Sequence, residues 1–279
     1  MDHLENAPVF LAFLLTLFAG MATGLGGLFA LLSKKFEPRF LALTLGFSAG
    51  VMIYVAMIEM FAEAKQSLQL AYGAFHGHAM TAAAFIGGVL LTALIDWLVP
   101  ESVNPHEVGN IHAYAPEGER QNNRRTQQLK RVGVFSALAI AIHNFPEGMA
   151  TFFATLQDPS LGMGIAIAVA IHNIPEGVAV AVPIYFATKS KGRAFLLSLG
   201  SGLAEPLGAI IGWLVLRPFM GDATFGVIFA MVAGIMVYIS LDELLPTAEE
   251  YGEHHIAIGG VIIGFLVMGT SLVLMEPMG

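Results

Sequence analysis

Eight apolar runs follow one another along the 279 residues, at roughly 8–32, 40–62, 79–99, 132–156, 161–187, 193–217, 224–246 and 255–275. About 20 apolar residues in an α-helix span the ~30 Å hydrocarbon layer of a bilayer, and each run is about that long or longer. Charged residues make up only 12% of the chain and hydrophobic ones 56%, whereas a soluble domain carries about 25% charged residues. The predicted fold is all-α: a polytopic membrane protein with eight transmembrane helices. A single domain covers 1–279, and its longest loop, 100–131, lies between the third and fourth spans.

The first run reads as a retained helix, because Met1 to Asn6 are acidic rather than basic and the run is too long for a signal core. Eight spans put both termini on one side of the membrane. Orientation then rests on how the 13 Lys and Arg divide among alternate loops. Lys34, Lys35, Arg39, Arg120, Arg124, Arg125, Lys130, Arg131, Lys189, Lys191 and Arg193 fall in one set of loops; only Lys65 and Arg217 fall in the other. That division of 11 to 2 predicts extracytoplasmic termini and a cytoplasmic 100–131 loop in a cell (inner or plasma) membrane. The chain has no Cys, which excludes disulfides and thiolate ligands together. The net charge of −8 is spread unevenly. The loops are basic and many carboxylates sit in or beside the spans, so nucleic-acid binding has no support.

Within the fourth and fifth runs one short motif occurs twice, 29 residues apart: His143-Asn144-Phe145-Pro146-Glu147-Gly148 and His172-Asn173-Ile174-Pro175-Glu176-Gly177. In each copy His and Glu are four residues apart and share one helix face, with Asn beside the His. Imidazole, carboxylate and amide oxygen are ligands for borderline to hard divalent cations. The Pro removes a backbone donor and leaves the carbonyl of Ile142 or Ile171 without its usual partner, which membrane helices tolerate where they line a polar cavity. Glu205, followed by Pro206, repeats the pairing of carboxylate and Pro in the sixth run. Carboxylates at membrane depth are costly, and mark an ion path, a partner or a water-filled cavity. His143, Asn144, Glu147, His172, Asn173, Glu176 and Glu205 thus form a candidate set for one or two divalent cations, whose charge would offset the repulsion among the acids.

The two copies lie on consecutive spans and so cross the membrane in opposite directions. This is the pattern of an inverted repeat about the midplane, where transporters place substrate sites on interrupted helices. Asp96 reads as a hydrogen-bond partner between helices. Gly20 with Gly24, Gly46 with Gly50 and Gly208 with Gly212 are small-residue spacings that let helices pack closely. Further acids and histidines collect at both ends of the path. Outside, Glu59 and Glu63 end the second run, followed by His76 and His78 in a loop; inside, Asp242 and Glu243 lead to Glu249, Glu250, Glu253, His254 and His255. These clusters would act as an electrostatic entrance and exit.

A metal with His and Glu ligands could instead serve an intramembrane metal-dependent enzyme. The chain has no His-Glu-x-x-His pairing and no nucleophile beside the cluster, and the midplane acids continue towards acids at both surfaces. The reading is therefore a carrier, not an enzyme, with no catalytic cofactor. No nucleotide-binding motif is apparent, and a divalent cation moving inward at 100 mV would gain about 4.6 kcal/mol from the potential alone.

On the two His-Asn-x-Pro-Glu-Gly sequences, the Ala204-Glu205-Pro206 step, the eight spans and the long loop between spans three and four, the chain resembles the ZIP family of metal-ion transporters, and within it the bacterial zinc-transporting branch. The resemblance implies a binuclear centre with Glu147 and Glu176 bridging. His143 would stand to one side, Asn144, Asn173 and Glu205 towards the other, and His172 would contribute from the fifth helix. It further implies that helices 1, 4, 5 and 6 carry the ions past helices 2, 3, 7 and 8, commonly in a homodimer. Two features depart from relatives. The 100–131 loop holds only His106 and His112 where many members are His-rich, and His172 stands where several have an acid or Gln. A neutral imidazole there lowers the negative charge of the site. The expected cargo is correspondingly broad: Zn²⁺ and Fe²⁺, with Mn²⁺, Co²⁺ and Cd²⁺ accepted as well.

Overall fold

A computed structural model describes residues 8–32, 38–98 and 119–275. Among them every long element is an α-helix, arranged as eight rods. α1 is Pro8–Leu32. α2 covers 38–72 and contains a π-turn, Val55–Met60. α3 is Ala74–Leu98, α4 Glu119–Gln157 and α5 Pro159–Thr188. α6 covers 191–216, interrupted at Leu203; α7 covers 222–251 with a second π-turn, Ser240–Leu244; α8 is His254–Met275. Seven of the rods are long and apolar enough to cross a bilayer on length and composition. α4 is long enough too, but carries the polar His, Asn and Glu of the first motif in its apolar half.

Two boundaries differ from the sequence expectation. The second span does not end at 62 but runs on to Tyr72, because Phe61–Tyr72 is rich in the helix formers Ala, Glu, Lys, Gln and Leu and buries Ala64, Ser67 and Leu68. It stops at Gly73, whose φ of 79° is open to glycine at no steric cost. Glu59 and Glu63 therefore lie inside a helix rather than at its end, and His76 and His78 are exposed residues of α3 rather than of a loop. α4 begins at Glu119, so the second part of the expected 100–131 loop is helical, again from a stretch of Gln, Arg, Lys and Leu that favours helix. His106 and His112 lie outside the described residues.

The turn between the motif-bearing helices is short. Asp158 adopts extended backbone and accepts hydrogen bonds from the amides of Ser160 (2.7 Å) and Leu161 (3.3 Å), with Pro159 opening α5. α4 and α5 consequently run back on each other. α1 packs on α5 and α4 on α6, while α2 packs on α8 and α3 on α7. These contacts are preserved when α1, α2, α3 and α4 are exchanged with α6, α7, α8 and α5, so the inverted repeat extends over all eight helices, π-turns included. α5 is the most buried span, at 72%; α3 and α8, at 17% and 22%, present Leu90, Trp97, Leu266 and Leu274 to the outside, where lipid solvates them.

Candidate metal centre

Each motif is held in place by its own glycine. A Cβ on Gly148 would overlap the carbonyl of Glu205 in α6, and one on Gly177 the carbonyl of Thr23 in α1. The contact is reciprocated, since Gly208 abuts the carbonyl of Phe145 and Gly26 that of Ile174. Both helix pairs thus meet backbone to backbone at the level of the motif, which only glycine allows. Ser198 reinforces the crossing, donating to the carbonyls of Thr23 (2.8 Å) and Gly177 (3.1 Å). Beside the interruption of α6 at Leu203, just before Glu205 and Pro206, the Ser201 carbonyl accepts from Asn144 Nδ2 at 3.3 Å.

The two asparagines are used in the same way. Asn173 Nδ2 donates to the Ala19 carbonyl (2.8 Å) and to the carboxylate of Glu205. In both motifs the amide nitrogen is tied to a neighbouring helix, and Oδ1 is left buried with no hydrogen-bond partner. Asp in place of Asn could not make that tie, because a carboxylate has no donor.

Asn144, Glu147, His172, Asn173, Glu176 and Glu205 are all between 0 and 3% exposed and His143 is 9%. Among their buried atoms, both oxygens of Glu147, both ring nitrogens of His172, Oε2 of Glu176 and Oε2 of Glu205 also lack hydrogen-bond partners. Buried polar atoms are normally paired, and leaving one unpaired costs about 1–3 kcal/mol. Imidazole, carboxylate and amide oxygens of this kind are donors that could hold a divalent cation. The nearest approaches are His172 Nε2 to Glu147 Oε2 at 3.5 Å and His143 Nδ1 to Glu243 Oε2 at 3.3 Å. Two donors about 2.0–2.1 Å from one tetrahedral Zn²⁺ stand about 3.3 Å apart. Among the described residues no three His, Asp or Glu side chains close on a single point; the donors come in pairs.

Glu243, expected at the exit end of the path within the seventh run, is 9% exposed on the π-turn of α7 and stands beside His143. A signal for this does exist. Residues 49–60, Ala-Gly-Val-Met-Ile-Tyr-Val-Ala-Met-Ile-Glu-Met, match 233–244, Ala-Gly-Ile-Met-Val-Tyr-Ile-Ser-Leu-Asp-Glu-Leu, with Glu59 and Glu243 in register. The rest of the exit cluster stays apart from the centre. Asp242 is half-buried and bonded to Tyr238; His254 and His255 are exposed, with His254 paired to Glu249 at 2.6 Å and Glu253 to Arg39 at 2.7 Å. Glu59 and Glu63 are half-buried on α2, and Glu63 interacts electrostatically with Asp158.

A membrane bundle in which two antiparallel, proline-containing helices bring together a buried set of carboxylates, imidazoles and amides fits a carrier of divalent metal ions. The chain belongs to the ZIP zinc transporter family, whose sequence pattern matches residues 100–271. It is 58% identical over 266 residues to the zinc transporter ZupT of Chlorobium chlorochromatii, covering 95% of this chain and 98% of that one. Identity is 55% to the ZupT of Streptococcus mutans, over 95% of this chain and 98% of that one, and 53% to the ZupT of Clostridium perfringens, over 98% of each. The protein is a multi-pass divalent metal transporter and not an enzyme.

Proposed function

We propose that the protein takes up Zn²⁺ and Fe²⁺ into the cytoplasm, and also accepts Mn²⁺, Co²⁺ and Cd²⁺, by alternating access at a binuclear centre near the bilayer midplane. The observation that carries this reading is the set of buried donor atoms without partners on α4, α5 and α6. Glu147 and Glu176 bridge the ions, with His143, Asn144, His172, Asn173 and Glu205 completing their shells. Glu147, Glu176, Glu205 and Glu243 together carry four negative charges when ionised, and two divalent cations balance them. His, Asn and carboxylate donors mix borderline and hard character, which fits a broad range of first-row metals.

The protein works in the cell (inner or plasma) membrane with both termini outside, as a homodimer; the sparsely buried α3 and α8 offer surface for a partner and for lipid. Metal uptake by proteoliposomes at set pH and voltage tests the reading, since a protein that moves no ion under an inward metal gradient is not this carrier. His172 is the neutral member that distinguishes this site, so His172→Asp should change the Zn²⁺ to Fe²⁺ rate ratio several-fold with little change in abundance. An unaltered ratio removes His172 from metal discrimination. Orientation is tested by single cysteines, which are clean here because the chain has none. Cys in place of the exposed His76 should label in intact cells, and Cys in place of His112 only after the membrane is made permeable. The reverse pattern would invert the topology and turn uptake into export.

A further inference from the structure

The exchange of α1 with α6 and of α4 with α5 can be followed residue by residue around the centre. Gly148 abuts the carbonyl of Glu205, and Gly177 that of Thr23; Gly208 abuts the carbonyl of Phe145, and Gly26 that of Ile174. Asn144 holds the Ser201 carbonyl, and Asn173 that of Ala19. Gly20 and Gly202 face each other, a Cβ on either overlapping the other's carbonyl. The sequence follows the same exchange: Gly20-Met21-Ala22-Thr23-Gly24-Leu25-Gly26 matches Gly202-Leu203-Ala204-Glu205-Pro206-Leu207-Gly208. Each of these correspondences sets Thr23 on α1 in the place that Glu205 has on α6.

The Thr23 hydroxyl also behaves differently from most others in the bundle. Thr16, Thr81, Thr92, Thr155 and Thr188 each donate to the carbonyl four residues earlier, at 2.8–3.0 Å, the local bond open to any helical threonine. For Thr23 that carbonyl belongs to Ala19, and it accepts from Asn173 instead. Thr23 is 0% exposed, and its Oγ1 has no hydrogen-bond partner, as is true of Glu205 Oε2 and of Oδ1 of both asparagines. The side chain is turned towards α6. A Cβ on Gly202 would lie 2.8 Å from both Cβ and Oγ1 of Thr23, one residue from the carbonyl that Asn144 holds. Thr151 has an unpaired hydroxyl too, but the motif spacing pairs it with Val180, which offers no oxygen.

We propose that Thr23 Oγ1 is a further ligand of the transported cation, facing it from α1 as Glu205 does from α6, beside the amide oxygens of Asn144 and Asn173. The proposal rests on the binuclear reading above and adds to it a donor from a helix that carries no motif. A hydroxyl supplies a hard oxygen without a charge, so the four carboxylates named above stay balanced by two divalent ions. It also sets a preference. Asn144, Asn173, Glu205 and Thr23 offer oxygen alone, which suits Mn²⁺, whereas the histidines suit Zn²⁺. Thr23 therefore widens the range of metals carried.

Thr23→Cys tests contact with the ion directly, because the chain has no other thiol. Thiolate is a metal ligand, and bound to Co²⁺ it gives a near-ultraviolet charge-transfer band that imidazole and carboxylate do not. The purified full-length variant loaded with Co²⁺ should show the band; Thr16→Cys, two turns away on the same helix, should not. Co²⁺ bound to Thr23→Cys without the band overturns the proposal. If Thr23→Cys does not fold, Thr23→Val decides, since it keeps the shape and removes only the hydroxyl. Its ratio of Mn²⁺ to Zn²⁺ uptake should fall about tenfold, the scale on which loss of a contact supporting a metal weakens binding, while Thr23→Ser should keep the native ratio. A hydroxyl that only packs would leave the ratio unchanged in Thr23→Val and raise the melting temperature, because an unpaired buried polar group has been removed. That result also overturns the proposal. Failure of the unaltered protein to bind Co²⁺ would instead sink the metal-centre reading, and binding without uptake would sink transport while the band still decides the role of Thr23.

Discussion

Zn²⁺ uptake should fall about 100-fold or more in Glu147→Gln and in Glu176→Gln, with the protein still present in the membrane at its usual level. Glutamine keeps the shape of the side chain and removes one charge and one strong acceptor. Both oxygens of Glu147 and Oε2 of Glu176 are buried without hydrogen-bond partners, so the substitution breaks no hydrogen bond at those atoms. Even a residue one step removed from a metal typically changes affinity by about 10–100-fold when mutated, and a bridging ligand should change it by at least the upper figure. Direct metal counting on the purified variants completes the test. The wild-type protein should bind close to two Zn²⁺ and each variant distinctly fewer. Uptake at the normal rate in either variant would remove that glutamate from the path.

Gly177→Val should fail in a different way, with loss of folded protein as well as of uptake. The new side chain would meet the Thr23 carbonyl and the backbone of Gly27, neither of which can turn aside as a long side chain would. Separating α1 from α5 by the width of a methyl group costs about 1–3 kcal/mol on the scale of overpacked cores, and it also pulls Asn173 away from the Ala19 carbonyl. Thermal unfolding in detergent should shift down by several degrees or more, and the effect should recur in Gly148→Val through Glu205. Gly87→Val is the control, because a Cβ there meets nothing within 4 Å. Equal stability of Gly177→Val and Gly87→Val would show that the motif glycine serves the site alone.

Eight spans could be read from the chain because burial in hydrocarbon requires about 20 apolar residues in succession, a signal that no soluble core imposes. The same signal is silent on polar helix. Phe61–Tyr72 and the start of α4 at Glu119 lie where hydropathy drops although helix propensity does not, so both were expected to end sooner or begin later than they do. The donor residues on α4, α5 and α6 could be picked out because His, Asn and Glu recur at a fixed spacing beside Pro within apolar segments. What the amides do could not. That Asn144 and Asn173 each anchor through nitrogen and offer oxygen depends on carbonyls supplied by Ser201 and Ala19, far away in sequence. The closeness of Glu243 to His143 could not be read either, since its depth is set by a π-turn and His143 lies on another helix.

The arrangement of donors in pairs, with no three His, Asp or Glu closing on one point among the described residues, has a consequence for how long an ion stays. For loading at about 10⁷ M⁻¹s⁻¹, nanomolar affinity would hold each ion for about 100 s, and micromolar affinity for about 0.1 s. A closed four-ligand cage of the structural zinc type lies at the slow end of that range or beyond it. An ion gripped by pairs of donors rather than by a closed cage would leave faster, so its departure could keep pace with the motion of the helices instead of becoming the slowest event of the cycle.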